Sequence, residues 1–230
     1  MQNILSIDTV FGACAVGVIA GDRHVARVEP MQRGQAERLM PMILETVRAG
    51  GLILQNLDLI VVNVGPGSFT GVRVGIATAR GIALGLSVPV QGVCATDALY
   101  ETARLAGKID PAHPVRVTID SQRGDFFVAD YRGADDVPIP SSDVRILADV
   151  QSHSVQVMSE DLILLPPDRA EEDGPIYPFV LARLGGRLYA EGPDSLRGRA
   201  EPLYLRDADI SVSKQHVYTR LIAKPRIIYT

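Results

Sequence analysis

Short runs of apolar residues, broken by turn-forming residues, open the chain. Strands are predicted at three such runs: 3–8, 13–20 and 24–29. Apolar residues then recur at helical spacing over 34–51, and Gly50 and Gly51 mark the end of this helix. Pro41 lies within the segment and predicts either a kink or a late start of the helix. The first 51 residues therefore read as three strands followed by one helix.

The next segment is nearly all apolar over 57–65, which predicts a strand buried on both faces, as in a parallel sheet. A glycine-rich loop and a helix rich in glycine and alanine follow, to about residue 86. A strand over 88–93 and a helix near 95–106 complete the pattern. Strands alternating with helices in this order predict an α/β fold.

The second half of the chain begins with the same strand–turn–strand pattern as the first. Residues 115–131 read as a strand ending in Ile-Asp, a turn with Gly124, and a second strand. The match of Asp8 with Asp120 predicts a duplicated α/β architecture, although Ile-Asp at a strand end is common enough for coincidence. We expect an N-terminal lobe over 1–107, a shorter C-terminal lobe over 108–210 with a helix over 178–192, and a basic tail over 211–230.

Composition restricts the class of protein. With 230 residues, 47% of them hydrophobic, the chain can bury a substantial core. The net charge of −4 gives no overall attraction to nucleic acid. The basic tail could still contact RNA locally or could pack on the body of the protein, and both alternatives stay open. The two cysteines, Cys14 and Cys94, lie in or beside predicted apolar strands, so we expect their thiols to be inert. So few cysteines also favour a protein of the reducing cytosol. No segment predicts a membrane span, so we expect a cytoplasmic protein.

The loop GPGSFTG at 65–71 resembles a phosphate-binding loop without matching one. Val72 stands where a Walker A loop needs lysine, and Thr70 stands where a dinucleotide fingerprint needs glycine or alanine. Three glycines and a capping Ser68 or Thr70 would still suit an anion at the start of the next helix. A tight strand-to-helix turn explains the glycines equally well.

Two strand-ending carboxylates, Asp8 and Asp120, are candidates for chemistry. Each could hold Mg²⁺ through water beside a nucleotide phosphate, or could cap its own turn. The four histidines form no metal-binding pair, which excludes a zinc or iron site on a helix. The chain also lacks a G-x-S-x-G motif, so Ser68 is interpreted as a cap and not as a nucleophile.

The helix after the loop carries small residues at every fourth position: Gly71, Gly75, Ala79 and Ala83. Glycine inside a helix costs about 1 kcal/mol relative to alanine, so the pattern indicates close backbone packing. Either the sheet beneath or another helix could be the packing partner.

Five segments stand in this order along residues 3–206: ILSIDT, ERLMPMI, GPGSFTGVRVG, RGDFF and PLYLR. Through these segments the chain resembles the bacterial TsaB (YeaZ) family. The resemblance implies an actin/Hsp70/sugar-kinase-like (ASKHA) fold of two duplicated ribonuclease-H-like lobes. It also implies a non-catalytic subunit in tRNA threonylcarbamoyladenosine synthesis, in a peptidase M22-like superfamily.

The resemblance further implies partners. These are the catalytic paralogue TsaD, which would carry the metal, and the ATPase TsaE; tRNA would be met indirectly through the complex, and the chain would form a homodimer when alone. Pairing through the helices at 36–49 and 70–86 would use one set of residues: Ala36, Met40, Ile43, Val47, Gly71, Gly75, Ala79 and Ala83. No cofactor would be required, while ATP or ADP with Mg²⁺ stays open at a vestigial set: Asp8, Thr9, Gly65, Gly67, Ser68, Thr70 and Gly71.

Three positions depart from the family pattern. Val64 replaces an arginine, Gln35 a histidine, and Val10 a small or polar residue. Each change removes a polar group that the family places near the expected nucleotide cleft, which argues further against catalysis, and no residue of this chain is assigned a catalytic role. The competing hypotheses are an ATP-dependent phosphotransferase and, less favoured, a glycoprotein-directed metalloprotease.

Overall fold

A computed structural model describes residues 2–110, 114–131, 144–148, 155–158, 177–192 and 199–205. Nine strands lie in this part of the chain: β1 Ile4–Asp8, β2 Ala13–Ala20, β3 Arg23–Pro30, β4 Leu59–Asn63, β5 Val90–Val93, β6 Val115–Asp120, β7 Phe126–Tyr131, β8 Arg145–Leu147 and β9 Val155–Met158. The same ranges contain four α-helices: α1 Gln35–Ala49, α2 Phe69–Leu86, α3 Ala95–Leu105 and α4 Tyr177–Ala190. A short 3₁₀ turn covers Leu54–Asn56.

The first sheet has the strand order β3-β2-β1-β4-β5. Strands β1, β2 and β3 form an antiparallel meander, and β4 and β5 run parallel to β1. Alternate residues of β1 point to opposite faces: Leu5 and Ile7 pack with α1 and α2, whereas Ile4 packs with α3 and α4. The central strands are therefore buried on both sides, as their continuous apolar sequence predicts.

The second sheet has the order β8-β7-β6-β9. Strand β6 is antiparallel to β7 and parallel to β9, and β7 is antiparallel to β8. Order and directions thus match those of β3-β2-β1-β4 in the first sheet. The matching topology is the arrangement that a duplication would produce, and common descent of the two halves stays a prediction.

Helix α4 lies in the range that the sequence assigns to the C-terminal lobe, yet it packs against the first sheet. It contacts β1, β2, β4 and β5 as well as α3. Gly185 permits this approach, because a Cβ there would overlap the side chain of Val61. At the start of the helix, the Ser6 hydroxyl donates a hydrogen bond of 2.6 Å to the Pro178 carbonyl. The boundary between 1–107 and 108–210 stays a prediction, and α4 packs across it.

The predicted strands and helices are confirmed to within a few residues wherever the structure describes them. Pro41 is the exception in detail: α1 begins at Gln35, so the proline lies inside the helix and a late start is wrong. Its ring is tolerated on the exposed side of α1. Within the described ranges, no helix combines the length and apolar character needed to span a bilayer. The tail over 211–230 lies outside the described residues.

Candidate functional site

Asp8 ends β1 and is 3% exposed. One carboxylate oxygen, Oδ1, accepts a 2.7 Å hydrogen bond from the Val10 amide. The other, Oδ2, accepts from the Asn63 side-chain amide at 2.6 Å and from the Tyr177 hydroxyl at 2.7 Å. Loss of hydration raises the pKa of Asp8, although these three donors act in the opposite direction. The carboxylate therefore joins β1, β4 and α4 inside the protein.

Asp120 occupies the corresponding place at the end of β6 but is exposed. Its carboxylate accepts a 2.7 Å hydrogen bond from the amide of Gln122, two residues on. Asp8 makes the same local bond to Val10, so each carboxylate caps its own turn. Binding of Mg²⁺ at either residue stays a prediction.

The loop over 65–71 lies directly on the β1–β2 turn. The Ser68 amide donates to the Val10 carbonyl at 3.1 Å, and the Thr9 hydroxyl donates to the Gly71 carbonyl at 2.6 Å. A Cβ on Gly71 would collide with the Thr9 carbonyl, so glycine is required here by packing. Gly65 has φ 91°, a conformation that favours glycine.

Ser68 caps α2, since its hydroxyl accepts from the Gly71 amide at 3.2 Å. The structure thus brings the predicted nucleotide-binding residues to one edge of the first sheet, but with different access. Asp8 and Thr9 are buried, whereas Ser68 and Thr70 are exposed. These contacts support the tight-turn interpretation of the glycines, and an anion site at the loop stays a prediction.

The residues that depart from the family pattern serve packing. Val10 and Val64 are 2% and 7% exposed and belong to the core under α1 and α2. The Gln35 side chain donates to the Met31 carbonyl at 3.0 Å.

Burial raises the pKa of the Cys14 and Cys94 thiols to about 12, which agrees with the prediction that neither is reactive. The described residues contain no group of three histidine, cysteine or acidic side chains that could hold a metal ion.

The predicted partner interface divides into two classes. Six of its residues are buried inside the protein: Ile43, Val47, Gly71, Gly75, Ala79 and Ala83. For these six the interface prediction is wrong, because they face the first sheet and its core. Gly75 illustrates the reason, since a Cβ there would lie 2.8 Å from the Thr9 hydroxyl oxygen. Only Ala36 and Met40 of the predicted set are exposed.

The exposed sides of α1 and α2 carry apolar and small residues among charged ones. The two helices pack beside each other on one face of the first sheet. We call six of their exposed apolar and small residues the α1–α2 outer face: Ala36, Met40, Leu44, Ala77, Gly81 and Leu84. Leu84 is 84% exposed and Leu44 45% exposed, so each helix keeps a large apolar side chain in solvent.

Sequence reasoning missed Leu44, Ala77 and Leu84. A signal was present in α2, because the bulky Val72 and Ile76 adjoin the glycines and mark that side of the helix as the core. The small residues on the opposite side, Ala77 and Gly81, would then have been the exposed set.

Comparison with known proteins supports the family resemblance. The sequence profile of TsaD, tRNA N6-adenosine threonylcarbamoyltransferase, matches residues 29–142. The tRNA threonylcarbamoyladenosine biosynthesis protein TsaB of Escherichia coli K12 is 28% identical over 90% of this chain and 95% of its own length. TsaB of Haemophilus influenzae is 35% identical, over 55% of this chain and 53% of that protein.

The solved structure of YeaZ from Pseudomonas aeruginosa superposes with a TM-score of 0.67 at 24% identity, covering 89% of this chain and all of that one. This likeness confirms the predicted α/β fold of the ASKHA type. Together the profile, the relatives and the fold confirm the predicted resemblance of this chain to the TsaB (YeaZ) family of tRNA threonylcarbamoyladenosine biosynthesis proteins.

Proposed function

We propose that this protein is a cytoplasmic, non-catalytic subunit of the complex that makes threonylcarbamoyladenosine in tRNA. It pairs with the catalytic TsaD paralogue through the α1–α2 outer face, and TsaE joins the pair. Alone, it forms a homodimer through the same face. It requires no cofactor of its own and meets tRNA through the complex.

The observation that carries the non-catalytic role is the closure of Asp8. A carboxylate that positions a hydrated Mg²⁺ beside a phosphate must be reachable from solvent. Asp8 is 3% exposed, and its two oxygens already accept bonds from Val10, Asn63 and Tyr177. Tyr177 and Asn63 thus occupy one carboxylate oxygen, and the Val10 amide occupies the other. This geometry supports a structural role for the residue over phosphotransfer.

The pairing role is supported by the α1–α2 outer face. Exposed apolar patches on a folded protein commonly mark a protein-binding surface. Ala77 and Gly81 let a partner helix approach closely, and Met40 supplies an adaptable side chain beside them. Both helices are firmly seated on the sheet through their buried sides, so the face is presented by a rigid element.

Substitution of neighbouring alanines on α2 tests the pairing surface. Ala77 is exposed and Ala79 is buried. We expect Ala77→Arg to unfold cooperatively like the wild type but to lose co-elution with the TsaD paralogue, because a charged side chain would stand in the contact. Ala79→Arg is expected to abolish folding, since the charge would enter the core.

The matched control is Ala190→Arg, which adds the same charge on an exposed position of α4. Complex formation is followed by size-exclusion chromatography with light scattering, and folding by circular dichroism. Unchanged pairing by folded Ala77→Arg would show that the partner binds elsewhere.

A further inference from the structure

An exposed arginine packs against two adjacent aromatic rings at the start of α2. The Arg73 guanidinium carbon lies 3.7 Å from the centroid of the Phe69 ring and 5.5 Å from that of Tyr204. Its Nε also donates a 2.7 Å hydrogen bond to the Tyr204 hydroxyl. The two rings are 41% and 48% exposed, with centroids 5.6 Å apart. This cluster is not explained by burial of a core.

Tyr204 reaches Arg73 from a distant segment that is itself anchored. In the stretch 199–205, the Leu203 amide donates to the Val64 carbonyl at 2.9 Å. Gly92 accommodates the same stretch, because a Cβ there would collide with the Arg199 carbonyl. Arg73 is therefore oriented by a fixed hydroxyl and a fixed ring. Because the guanidinium group is oriented before binding, it loses less conformational entropy when it binds a ligand group.

The hydrogen-bonding capacity of Arg73 is only partly used. Its Nε is occupied by Tyr204, and no bond from Nη1 or Nη2 and no ion pair forms with any residue in the described ranges. The two Nη groups form the edge with which a guanidinium binds a carboxylate or phosphate in bidentate fashion. Arg80, seven residues on and also exposed, makes no ion pair within those ranges either.

The surroundings of Arg73 favour a protein carboxylate over a nucleic-acid phosphate. Ala77, one turn further along α2, begins the apolar part of the α1–α2 outer face. Arginine and aromatic residues bordering an apolar patch are the composition of a protein–protein interface. Nucleic-acid surfaces are much more strongly positive than this one, which carries two arginines on α2 in a protein of net charge −4.

We infer that Arg73, oriented by Phe69 and Tyr204, anchors the docked partner by binding a carboxylate on the partner's facing surface. The inference rests on the proposed function and adds the chemistry of the partner. Helix α2 contains no acidic residue. If α2 packed against α2 of a second copy, the arginines of each helix would therefore find no carboxylate on the other helix. The anchor therefore needs an acidic surface opposite α2, which α2 of a second copy does not supply and which we assign to the heteropartner.

The test compares four forms of the full-length protein against the TsaD paralogue: wild type, Arg73→Gln, Tyr204→Phe and Lys108→Gln. Affinity is measured by calorimetry at low and high salt. Arg73→Gln should weaken binding by about thirtyfold, since it leaves a partner carboxylate unpaired in the interface. Tyr204→Phe keeps the charge and removes the orienting hydroxyl, and should weaken binding by a smaller factor. Lys108→Gln removes one charge at an exposed position after α3 and should bind like the wild type.

Loss of affinity in Arg73→Gln, with a shallower salt dependence and an unchanged homodimer constant, would support the anchor. Wild-type affinity in Arg73→Gln would overturn it while leaving the proposed function intact. Equal weakening of the homodimer, or Arg73-dependent binding of a tRNA transcript in place of the protein, would also overturn it. Failure of the wild type to bind the paralogue at all would instead refute the proposed function.

Discussion

At the scale of single residues, Asp8 and Asp120 show how one local motif acquires two environments. Both end an apolar strand, and both accept a bond from the amide two residues on. The sequence predicts that much, because the local Ile-Asp-turn pattern is repeated. It could not predict the burial of Asp8, since that depends on the Tyr177 hydroxyl, 169 residues away along the chain.

The difference predicts unequal effects of the same substitution. Asp8→Ala removes the acceptor for the Tyr177 hydroxyl and the Asn63 amide, both buried, and should lower the free energy of unfolding by about 2–4 kcal/mol. Asp120→Ala, at the exposed equivalent, should change it by only about 0.5 kcal/mol. Urea denaturation of both variants makes the comparison. Equal small effects would mean that the Asp8 network does not stabilise the fold.

At the scale of elements, spacing in the sequence located the small residues of α2 but not the direction in which they face. A repeat of glycine and alanine at every fourth position fits a sheet or a partner helix equally well. The structure decides for the sheet, because Gly71 and Gly75 lie against Thr9. A helix has two sides that can each carry small residues, and only the bulky Val72 and Ile76 beside one side distinguish them.

Helix α4 offers an adjacent pair of glycines with different surroundings. A Cβ on Gly185 would overlap the Val61 side chain in the central strand, whereas one on Gly186 would lie 3.1 Å from the flexible tip of Ile4. We expect Gly185→Ala to lower the free energy of unfolding by about 1–3 kcal/mol through overpacking. Gly186→Ala should be within about 1 kcal/mol of wild type, since the gain in helix propensity offsets the contact.

Thermal and urea unfolding of the two α4 variants provide the readout, each variant serving as the other's control. If Gly185→Ala were as stable as Gly186→Ala, the close seating of α4 on the first sheet would be wrong.

At the scale of the whole molecule, the strand and helix patterns were enough to predict the α/β fold, while duplication of its two halves stays a prediction. In the first sheet, the strand order follows from an antiparallel meander and parallel crossovers, which short loops and the connecting helices α1 and α2 provide. The packing of α4 on the first sheet could not be predicted this way, because no local pattern records which distant sheet a helix covers. That same packing closes Asp8 and thereby sets the proposed role of the molecule.

The central claim is that this chain supports threonylcarbamoyl transfer without performing it. The most direct measurement is threonylcarbamoyladenosine in tRNA after incubation with threonylcarbamoyl-AMP, the TsaD paralogue, TsaE and ATP, with and without this chain, quantified by mass spectrometry of the nucleosides. We expect product in the complete mixture, none from this chain alone, and loss of product when the chain is omitted or replaced by Ala77→Arg. Full activity without this chain, or product from this chain alone, would contradict it.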